Sequence, residues 1–205
     1  MTAPPIYRPA AARVNPCDGE FSRCLVAKRI VLPQYIKMMT DNGSRMPVYA
    51  LLDNVRSVWN VGSMFRTADS VALGGLYLCG MTATPPRPDI EKTALGATKT
   101  VPWDYWSDAA AAAAHLKEQG LPLIALEQTG GARSWDSFDY PFPHCFIVGH
   151  EVHGVSQQLL DLADQVVEIP MAGVKHSLNV AVSFGVLAFE IRRRYLLANP
   201  GDGRR

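Results

Sequence analysis

The chain has 205 residues, a length that suits one domain or one domain with an arm. Hydrophobic residues make up 48% of it, enough for a sizeable core, whereas charged residues make up only 19%, which hints at extra buried surface such as a subunit interface. The net charge of +1 excludes a generally basic nucleic-acid binder, so any site of that kind must be a local basic patch.

Targeting and metal signals are absent from the sequence. Residues 1–14 contain no apolar run of the signal-peptide type. The sequence also contains no stretch of about eighteen apolar residues, so it predicts no transmembrane helix. The four cysteines form neither a CxxC pair nor a zinc-type spacing. The sequence therefore predicts a cytoplasmic protein with free thiols, no metal site and no membrane partner.

The first 46 residues differ from the rest. They are rich in Pro, Ala and Arg and predict an extended arm, with a short helix at residues 33–39, while residues 47–200 predict one domain. An apolar run at residues 48–52 predicts a buried strand. A helix is expected at residues 60–73 with Asn60 as its N-cap, and Gly74 and Gly75 end it before a strand at 76–79.

The remaining elements alternate. Residues 80–100 predict a loop, because they contain three prolines and a turn near Leu95. Further strands are expected at 101–106, 123–126, 145–148 and 166–169, and helices at 107–119 (capped by Ser107), 155–163 and 177–197. Residues 180–191 are apolar on nearly every face and are predicted to be buried on all sides. This alternation predicts an α/β domain, a parallel sheet with helices on both faces.

The first motif lies at the start of the predicted helix at 60–73. Gly62 and Arg66 are four residues apart and are expected to share one helical face, close to Asn60 at the cap. An amide, a cation and a glycine that permits close approach suit a phosphate or ribose near a helix N-terminus. The alternative is a surface arginine on a capped helix.

The second motif, residues 149–156, follows a predicted strand and precedes a helix. Open α/β sheets bind ligands at such carboxyl ends of strands. His150-Glu151-Val152-His153 is not the zinc helix pattern, which needs two residues between the glutamate and the second histidine. Glu151 is a candidate hydrogen-bond acceptor in a site, and the alternative is an ordinary loop carboxylate.

The third motif, residues 169–180, combines a strand end, a glycine-bearing loop and the start of an apolar helix. Ser177 and Asn179 are expected to project from the first turn of that helix, at the edge of the core. The alternative is that Ser177 simply caps the helix, and capping and binding are compatible.

In this order, the three motifs resemble those of the SpoU (TrmH-type) branch of the SPOUT RNA methyltransferases. The matching residues are Asn60, Gly62, Arg66, Thr67 and Ala68, then Gly149, Glu151 and Gly154, then Ile169, Pro170, Met171, Ser177, Leu178, Asn179, Val180 and Ala181. The resemblance covers about residues 47 to 195. It implies a parallel sheet with a deep C-terminal trefoil knot, an exception to the rule that chains are unknotted. It also implies a homodimer whose sites borrow residues across the interface.

The resemblance further implies the site residues and the cofactor, S-adenosylmethionine. The implied catalytic residues are Asn60, Arg66, Glu151, Ser177 and Asn179. The implied cofactor contacts are Leu126, Glu127, Gly149, Ile169, Met171, Ser177 and Leu178. In this family Arg66 would activate the ribose hydroxyl, but a guanidinium is normally protonated and cannot accept a proton. Either the site strongly perturbs Arg66, or Arg66 holds an RNA phosphate while another group takes the proton, which we favour.

The resulting hypothesis is an S-adenosylmethionine-dependent methyltransferase that acts on a ribose 2′-hydroxyl in structured RNA, with transfer RNA slightly favoured over ribosomal RNA because the chain is small. The alternative is a catalytically silent RNA-binding or assembly protein of the same fold. A nucleotide-dependent enzyme such as a dehydrogenase is disfavoured, because neither GxGxxG nor a P-loop occurs. Candidate basic RNA contacts are Arg8, Arg13, Arg45, Arg87, Lys92, Lys99, Lys175, Arg192, Arg193, Arg194, Arg204 and Arg205.

Overall fold

The structure, a computed structural model, describes residues 45–202 of the chain. The predicted helix at residues 33–39 lies outside the described residues. So do four candidate RNA contacts, Arg8, Arg13, Arg204 and Arg205.

Strands and helices alternate along the described chain. The strands are β1 (Met46–Asp53), β2 (Leu73–Cys79), β3 (Trp103–Trp106), β4 (Leu123–Leu126), β5 (Arg133–Ser134), β6 (His144–Val148) and β7 (Gln165–Glu168). The helices are α1 (Val58–Ser70), α2 (Pro88–Ala94), α3 (Ala109–Glu118), α4 (Gln157–Leu162) and α5 (Val180–Ala198), with 3-10 turns at Ala97–Lys99 and Pro200–Asp202. Among the helices of residues 45–202, none combines the length and the hydrophobicity that a membrane-spanning segment needs.

The seven strands form one sheet in the order β3-β2-β1-β6-β4-β7-β5, and every neighbouring pair is parallel. The chain first moves outward from β1 to β3 and then continues on the other side of β1. The carboxyl ends of β1 and β6 therefore lie at a topological switch point, where open α/β sheets bind ligands. The predicted parallel sheet is confirmed.

Helices cover both faces of the sheet, as predicted. Alternate residues of β1 enter two separate apolar clusters. Ala50 and Leu52 belong to the cluster that includes buried side chains of α1, α2 and α5. Tyr49 and Leu51 point the other way, toward buried side chains of α3 and α4. The sheet is thus a central layer between two layers of helices.

Helix α1 begins earlier than predicted. Its N-cap is Ser57, whose hydroxyl accepts from the backbone N–H of Asn60, so Asn60 lies in the first turn and its side chain is free for other partners. The helix ends at Ser70, and Gly74 and Gly75 lie inside β2 rather than ending a helix. Serine is a favoured cap because its hydroxyl satisfies an N–H that the helix leaves unpaired.

Helix α2 was missed in the predicted loop at 80–100, because its prolines suggested irregular structure. Pro88 occupies the first helical turn, where proline is tolerated since its missing N–H has no intrahelical partner there. Gly62 of α1 is buried against α2, and a Cβ atom there would overlap with Thr93 and lie 2.7 Å from the carbonyl oxygen of Ile90. The close approach that Gly62 permits is therefore to a helix rather than to a ligand.

Other element ends differ by a few residues. Asp108, not Ser107, caps α3 through hydrogen bonds to Ala110 and Ala111. The two-residue strand β5 lies between the predicted strands at 123–126 and 145–148, where no element was predicted. Helix α5 begins at Val180 and is capped by Asn179, so the predicted start and cap at Ser177 are wrong.

Helix α5 is also less buried than predicted. Phe184 and Ile191 are fully buried, but Val182 and Phe189 are 50% and 57% exposed in the protomer. The prediction that residues 180–191 are buried on all sides is therefore wrong for the single chain, because one apolar face of α5 has no covering element among the described residues.

Candidate active site

A tight loop, residues 149–156, connects β6 to α4. The backbones of His150 and Gly154 exchange two hydrogen bonds of 2.9 Å across it. A side chain at Gly149 would overlap with the backbone of Gly154 and Val155. Gly154 has a φ of +69°, which favours glycine. Both glycines of the second motif are therefore required by the shape of this loop.

Two carboxylates on the strands that flank β6 hold the end of the loop. Asp53, at the end of β1, accepts from the backbone N–H of Ser156 at 2.9 Å. Glu127, directly after β4, accepts from the N–H of Val155 at 2.9 Å through one oxygen and from Gln128 at 2.9 Å through the other. Such charge-assisted bonds are roughly twice as strong as neutral ones. The loop is thus anchored on both sides of its own strand.

Glu151 anchors the loop to the start of α1. Its carboxylate accepts from the backbone N–H groups of Ser57 and Arg56 at 2.8 and 3.0 Å and from the side-chain amide of Asn60 at 3.0 Å. Partial burial would raise the pKa of Glu151, but the bonds from Ser57, Arg56 and Asn60 outweigh it and lower the pKa. Glu151 is therefore ionised at neutral pH, and its oxygens are already occupied by donors.

Asn60 joins the first motif to the third. The amide of Asn179 donates to the side-chain oxygen of Asn60 at 3.2 Å, while the oxygen of Asn179 caps α5 by accepting from Ala181 at 2.8 Å. Glu151, Asn60 and Asn179 thus form one hydrogen-bond chain. It connects residues that are 91 and 119 positions apart in sequence.

A cavity of about 260 Å³ lies at the carboxyl edge of the sheet, beside this chain of side chains. Two segments supply most of its lining residues. We call residues 149–154 of the loop the first wall, and residues 169–178, which follow β7, the second wall. All seven residues predicted to contact the cofactor line this cavity: Leu126, Glu127, Gly149, Ile169, Met171, Ser177 and Leu178.

Ionisable side chains are frequent around the cavity. Glu127, Glu151 and Glu168 line it together with three histidines, His150, His153 and His176. The rings of His150 and His153 lie 4.8 Å apart, and the Nδ1 atom of His150 accepts from the backbone N–H of Val152 at 3.0 Å. Three carboxylates favour a ligand that carries positive charge.

The predicted catalytic residues are only partly brought together. Glu151, Asn60 and Asn179 are joined directly, and Ser177 lines the cavity with its side chain exposed. Arg66 is exposed on the outer side of α1, is not part of the cavity lining, and its side chain has no hydrogen-bond partner among residues 45–202. Gly62 and Arg66 both lie in α1 four residues apart, but Gly62 is buried and Arg66 is exposed.

Several candidate basic contacts already have structural partners. Arg45 donates to Asp69 at 2.7 Å, and Arg193 and Arg194 both pair with Glu190. Arg87, Lys92, Lys99 and Lys175 are exposed.

Asp53 is a site residue that the sequence reasoning missed. Its side chain is 2% exposed and bonds to a residue 103 positions away. The only available signal was its place directly after the buried run of β1, where a carboxylate at a carboxyl strand end favours a site.

Comparisons with known proteins agree with this geometry. A model of the SpoU rRNA Methylase family matches residues 47–189. The tRNA (guanosine(18)-2′-O)-methyltransferase of Thermus thermophilus is 36% identical over 152 residues, which cover 74% of this chain and 77% of that protein. The 23S rRNA (guanosine-2′-O-)-methyltransferase RlmB of Neisseria meningitidis is 29% identical over 80% of this chain and 66% of its own length.

Solved structures give the same result. The A. aeolicus TrmH/SpoU tRNA modifying enzyme superposes with a TM-score of 0.71 at 25% identity, over 85% of this chain and 88% of the other. The SpoU methyltransferase AviRb from Streptomyces viridochromogenes in complex with AdoMet superposes with a TM-score of 0.69 at 25% identity, over 76% of this chain and 63% of the other. A family model over most of the chain and a relative of this identity confirm the resemblance, and the chain belongs to the SpoU rRNA methylase family.

Proposed function

We propose that this protein uses S-adenosylmethionine to methylate a ribose 2′-hydroxyl of RNA in the cytoplasm. The observation that carries the proposal is the hydrogen-bond chain from Glu151 through Asn60 to Asn179, which joins the three motifs beside one cavity. A donor and an acceptor held at such a junction gain rate mainly from alignment.

The residues around the cavity suit the cofactor. When bound, S-adenosylmethionine supplies a methyl group on a positively charged sulfonium. Gly149 and Gly154 line the cavity, and their lack of side chains allows the loop to close tightly on itself and against Glu127 beside it. The carboxylates of Glu151 and Glu168 favour a cation by electrostatic attraction. Leu126, Glu127, Gly149, Ile169, Met171, Ser177 and Leu178 would hold the cofactor.

Glu151 acts by positioning rather than as a base. Its pKa is lowered, and three donors already occupy its oxygens, so it has little tendency to accept a proton from a sugar hydroxyl. Its role is to fix Asn60, which in turn contacts Asn179. Arg66 holds an RNA phosphate, and a neighbouring group or water receives the proton.

A homodimer completes the site in this proposal. The exposed apolar face of α5, with Val182 and Phe189, and the exposed second wall are covered by a second copy of the chain, whose Arg66 reaches the cavity. The similarity to SpoU structures supports the homodimer and a deep trefoil knot formed by the segments around the two walls.

Transfer RNA is the favoured substrate. The tRNA (guanosine(18)-2′-O)-methyltransferases of Thermus thermophilus and Escherichia coli are 36% and 31% identical to this chain, over 77% and 62% of their own lengths. The Neisseria ribosomal-RNA enzyme is 29% identical over 66% of its length, so sequence identity supports transfer RNA. Mapping 2′-O-methyl positions in cells that lack the protein tests this choice, and a lost methyl group in ribosomal RNA alone would contradict it.

A transfer assay with labelled S-adenosylmethionine and total RNA tests the activity. Arg66→Ala should lower the rate by about 100-fold, because the RNA loses its alignment, while the dimer mass stays unchanged. Lys117→Ala removes an exposed cation from α3, on the opposite face of the sheet, and should leave the rate unchanged. A wild type that binds the cofactor but labels no RNA would support the catalytically silent alternative.

A further inference from the structure

A large aromatic side chain lies exposed beside the candidate site. Trp59 is the residue before Asn60 in the first turn of α1, and 46% of its surface is exposed. Its indole N–H makes no hydrogen bond to any of residues 45–202. The neighbouring Asn60 is fixed by Glu151, so the backbone that carries Trp59 is anchored next to the cavity. The ring is therefore an exposed surface with an unused donor, carried by an anchored backbone.

Trp59 shares one face of α1 with Arg66. Residues 59, 63, 66 and 70 recur at helical spacing and fall within about 60° of one another around the axis. We call Trp59, Ser63, Arg66 and Ser70 the outer face of α1. Trp59 and Arg66 are two turns apart, about 10 Å along the helix. Arg66, the proposed phosphate contact, and the exposed ring of Trp59 thus lie on the same face of α1.

The surroundings of the ring are positive. The ammonium of Lys92 in α2 lies over the ring of Trp59, 5.7 Å from its centroid. Arg56 is exposed just before the helix, and the first turn of α1 contains no acidic residue. The carboxylate of Glu151 accepts from the backbone N–H groups of Arg56 and Ser57, so the positive charge near the ring comes from the side chains of Lys92 and Arg56 rather than from the helix N-terminus.

Two exposed faces of this molecule differ in chemistry. The exposed face of α5 presents aliphatic and aromatic groups, Val182 and Phe189, as a protein interface does. The outer face of α1 instead combines one aromatic ring with hydroxyls and a guanidinium, and a lysine lies beside it. Aromatic rings interleaved with cations are typical of surfaces that stack unpaired bases and contact phosphates.

We propose that Trp59, with Lys92 beside it, is a stacking platform for an unpaired nucleobase of the substrate RNA, adjacent to the nucleotide that is methylated. This inference rests on the proposed function. Stacking on the ring tolerates any base, and Lys92 and Arg66 contact the phosphates on either side. The platform thereby favours loops over paired stems, because a base within a duplex cannot reach the ring.

Steady-state kinetics with bulk transfer RNA that lacks 2′-O-methylation test the platform. Trp59→Ala should raise the KM for RNA by about 10- to 100-fold, with a much smaller change in kcat and an unchanged Kd for S-adenosylmethionine. Trp59→Phe keeps a stacking ring and should restore KM to within about threefold. Tyr105→Ala is the matched control, since Tyr105 is also 46% exposed but lies on edge strand β3.

Tryptophan fluorescence gives a direct readout. Transfer RNA should quench the emission of the wild type more strongly than a perfect RNA duplex does. In Trp59→Phe, most of this difference in quenching between the two RNAs should disappear. An unchanged KM in Trp59→Ala, or a loss of the dimer in that variant, would overturn the platform. The proposed function fails in a distinguishable way, as a wild type that transfers no methyl group to any RNA.

Discussion

The two walls of the cavity differ in how they are held. The first wall is fixed within one protomer, because its loop is bound by Asp53, Glu127 and Glu151 and closed by paired backbone hydrogen bonds. The second wall is anchored at β7 and at Asn179, and residues 172–179 are exposed in between. The first wall is thus preorganised by the fold, whereas most of the second wall is exposed in the protomer.

The largest contrast is expected from a methyl group added to each wall. Gly149→Ala should lower the free energy of unfolding by about 3 kcal/mol and abolish cofactor binding, because the new Cβ overlaps with the backbone of Gly154 and Val155. Gly173→Ala, in the second wall, has open space and should change stability by less than about 0.5 kcal/mol. Urea unfolding and calorimetric titration measure both. Equal effects would refute the difference between the walls.

Acid should weaken the strand that carries the first wall. Burial lowers the pKa of His144, the first residue of β6, to about 4, although its bond to the carbonyl of Pro141 opposes the shift. The unfolded chain takes up this proton near pH 6.5, so the contribution is fully present above that pH and is lost as pH falls toward 4. We expect the free energy of unfolding to fall by about 2 kcal/mol between pH 7 and pH 5.

Denaturant unfolding at the two pH values measures this loss. His144→Asn is the control, because an amide still donates to Pro141 but does not titrate. The variant should be less stable than the wild type at pH 7. Its free energy of unfolding should fall much less than that of the wild type between pH 7 and pH 5. An equal loss in the variant would assign the acid sensitivity to other groups.

A smaller effect is expected from neutralising one carboxylate in the first wall, Glu151, and one that directly precedes the second wall, Glu168. Glu151→Gln replaces one carboxylate oxygen by an NH2 group that faces the backbone donor of either Arg56 or Ser57, which should cost about 1.5 kcal/mol of stability and lower methyl transfer at least tenfold. Glu168→Gln should cost less than about 0.5 kcal/mol, because the side chain of Glu168 has no hydrogen-bond partner among the described residues. Thermal unfolding and transfer rates compare the two.

The smallest effect on folding is expected at the tip of the second wall. Val174 is 89% exposed, so Val174→Ser should change the free energy of unfolding by less than about 0.5 kcal/mol. If a second copy covers this segment, the same change should weaken the dimer by about threefold or more. Sedimentation at several concentrations measures the association, and an unchanged dimer constant would remove Val174 from the interface.

The strands were easier to predict than the helices. Four-residue apolar runs identify buried parallel strands directly, and β4 matches its prediction. The start of α1 was misplaced by two residues because Asn60 and Ser57 are both good caps, and only the side-chain contacts of Asn60 decide between them. The burial of α5 was overestimated because apolar composition does not reveal whether the covering surface belongs to the same chain.

The cavity lining was predicted, but its supports were not. A resemblance in motifs identifies residues that recur at fixed positions, so Gly149, Ile169 and Ser177 were expected around one ligand. Asp53 was not expected, since its role depends on a contact across the sheet that no local spacing reveals. Arg66 was assigned to the site by family resemblance, although the protomer alone gives it no contact there.

The bonds among Glu151, Asn60 and Asn179 also have a consequence for protein synthesis. The last of these residues is made 119 positions after its partner Asn60, so a nascent chain still short of α5 has no complete site. We therefore expect an unfinished polypeptide that lacks α5 to transfer no methyl group to nearby RNA.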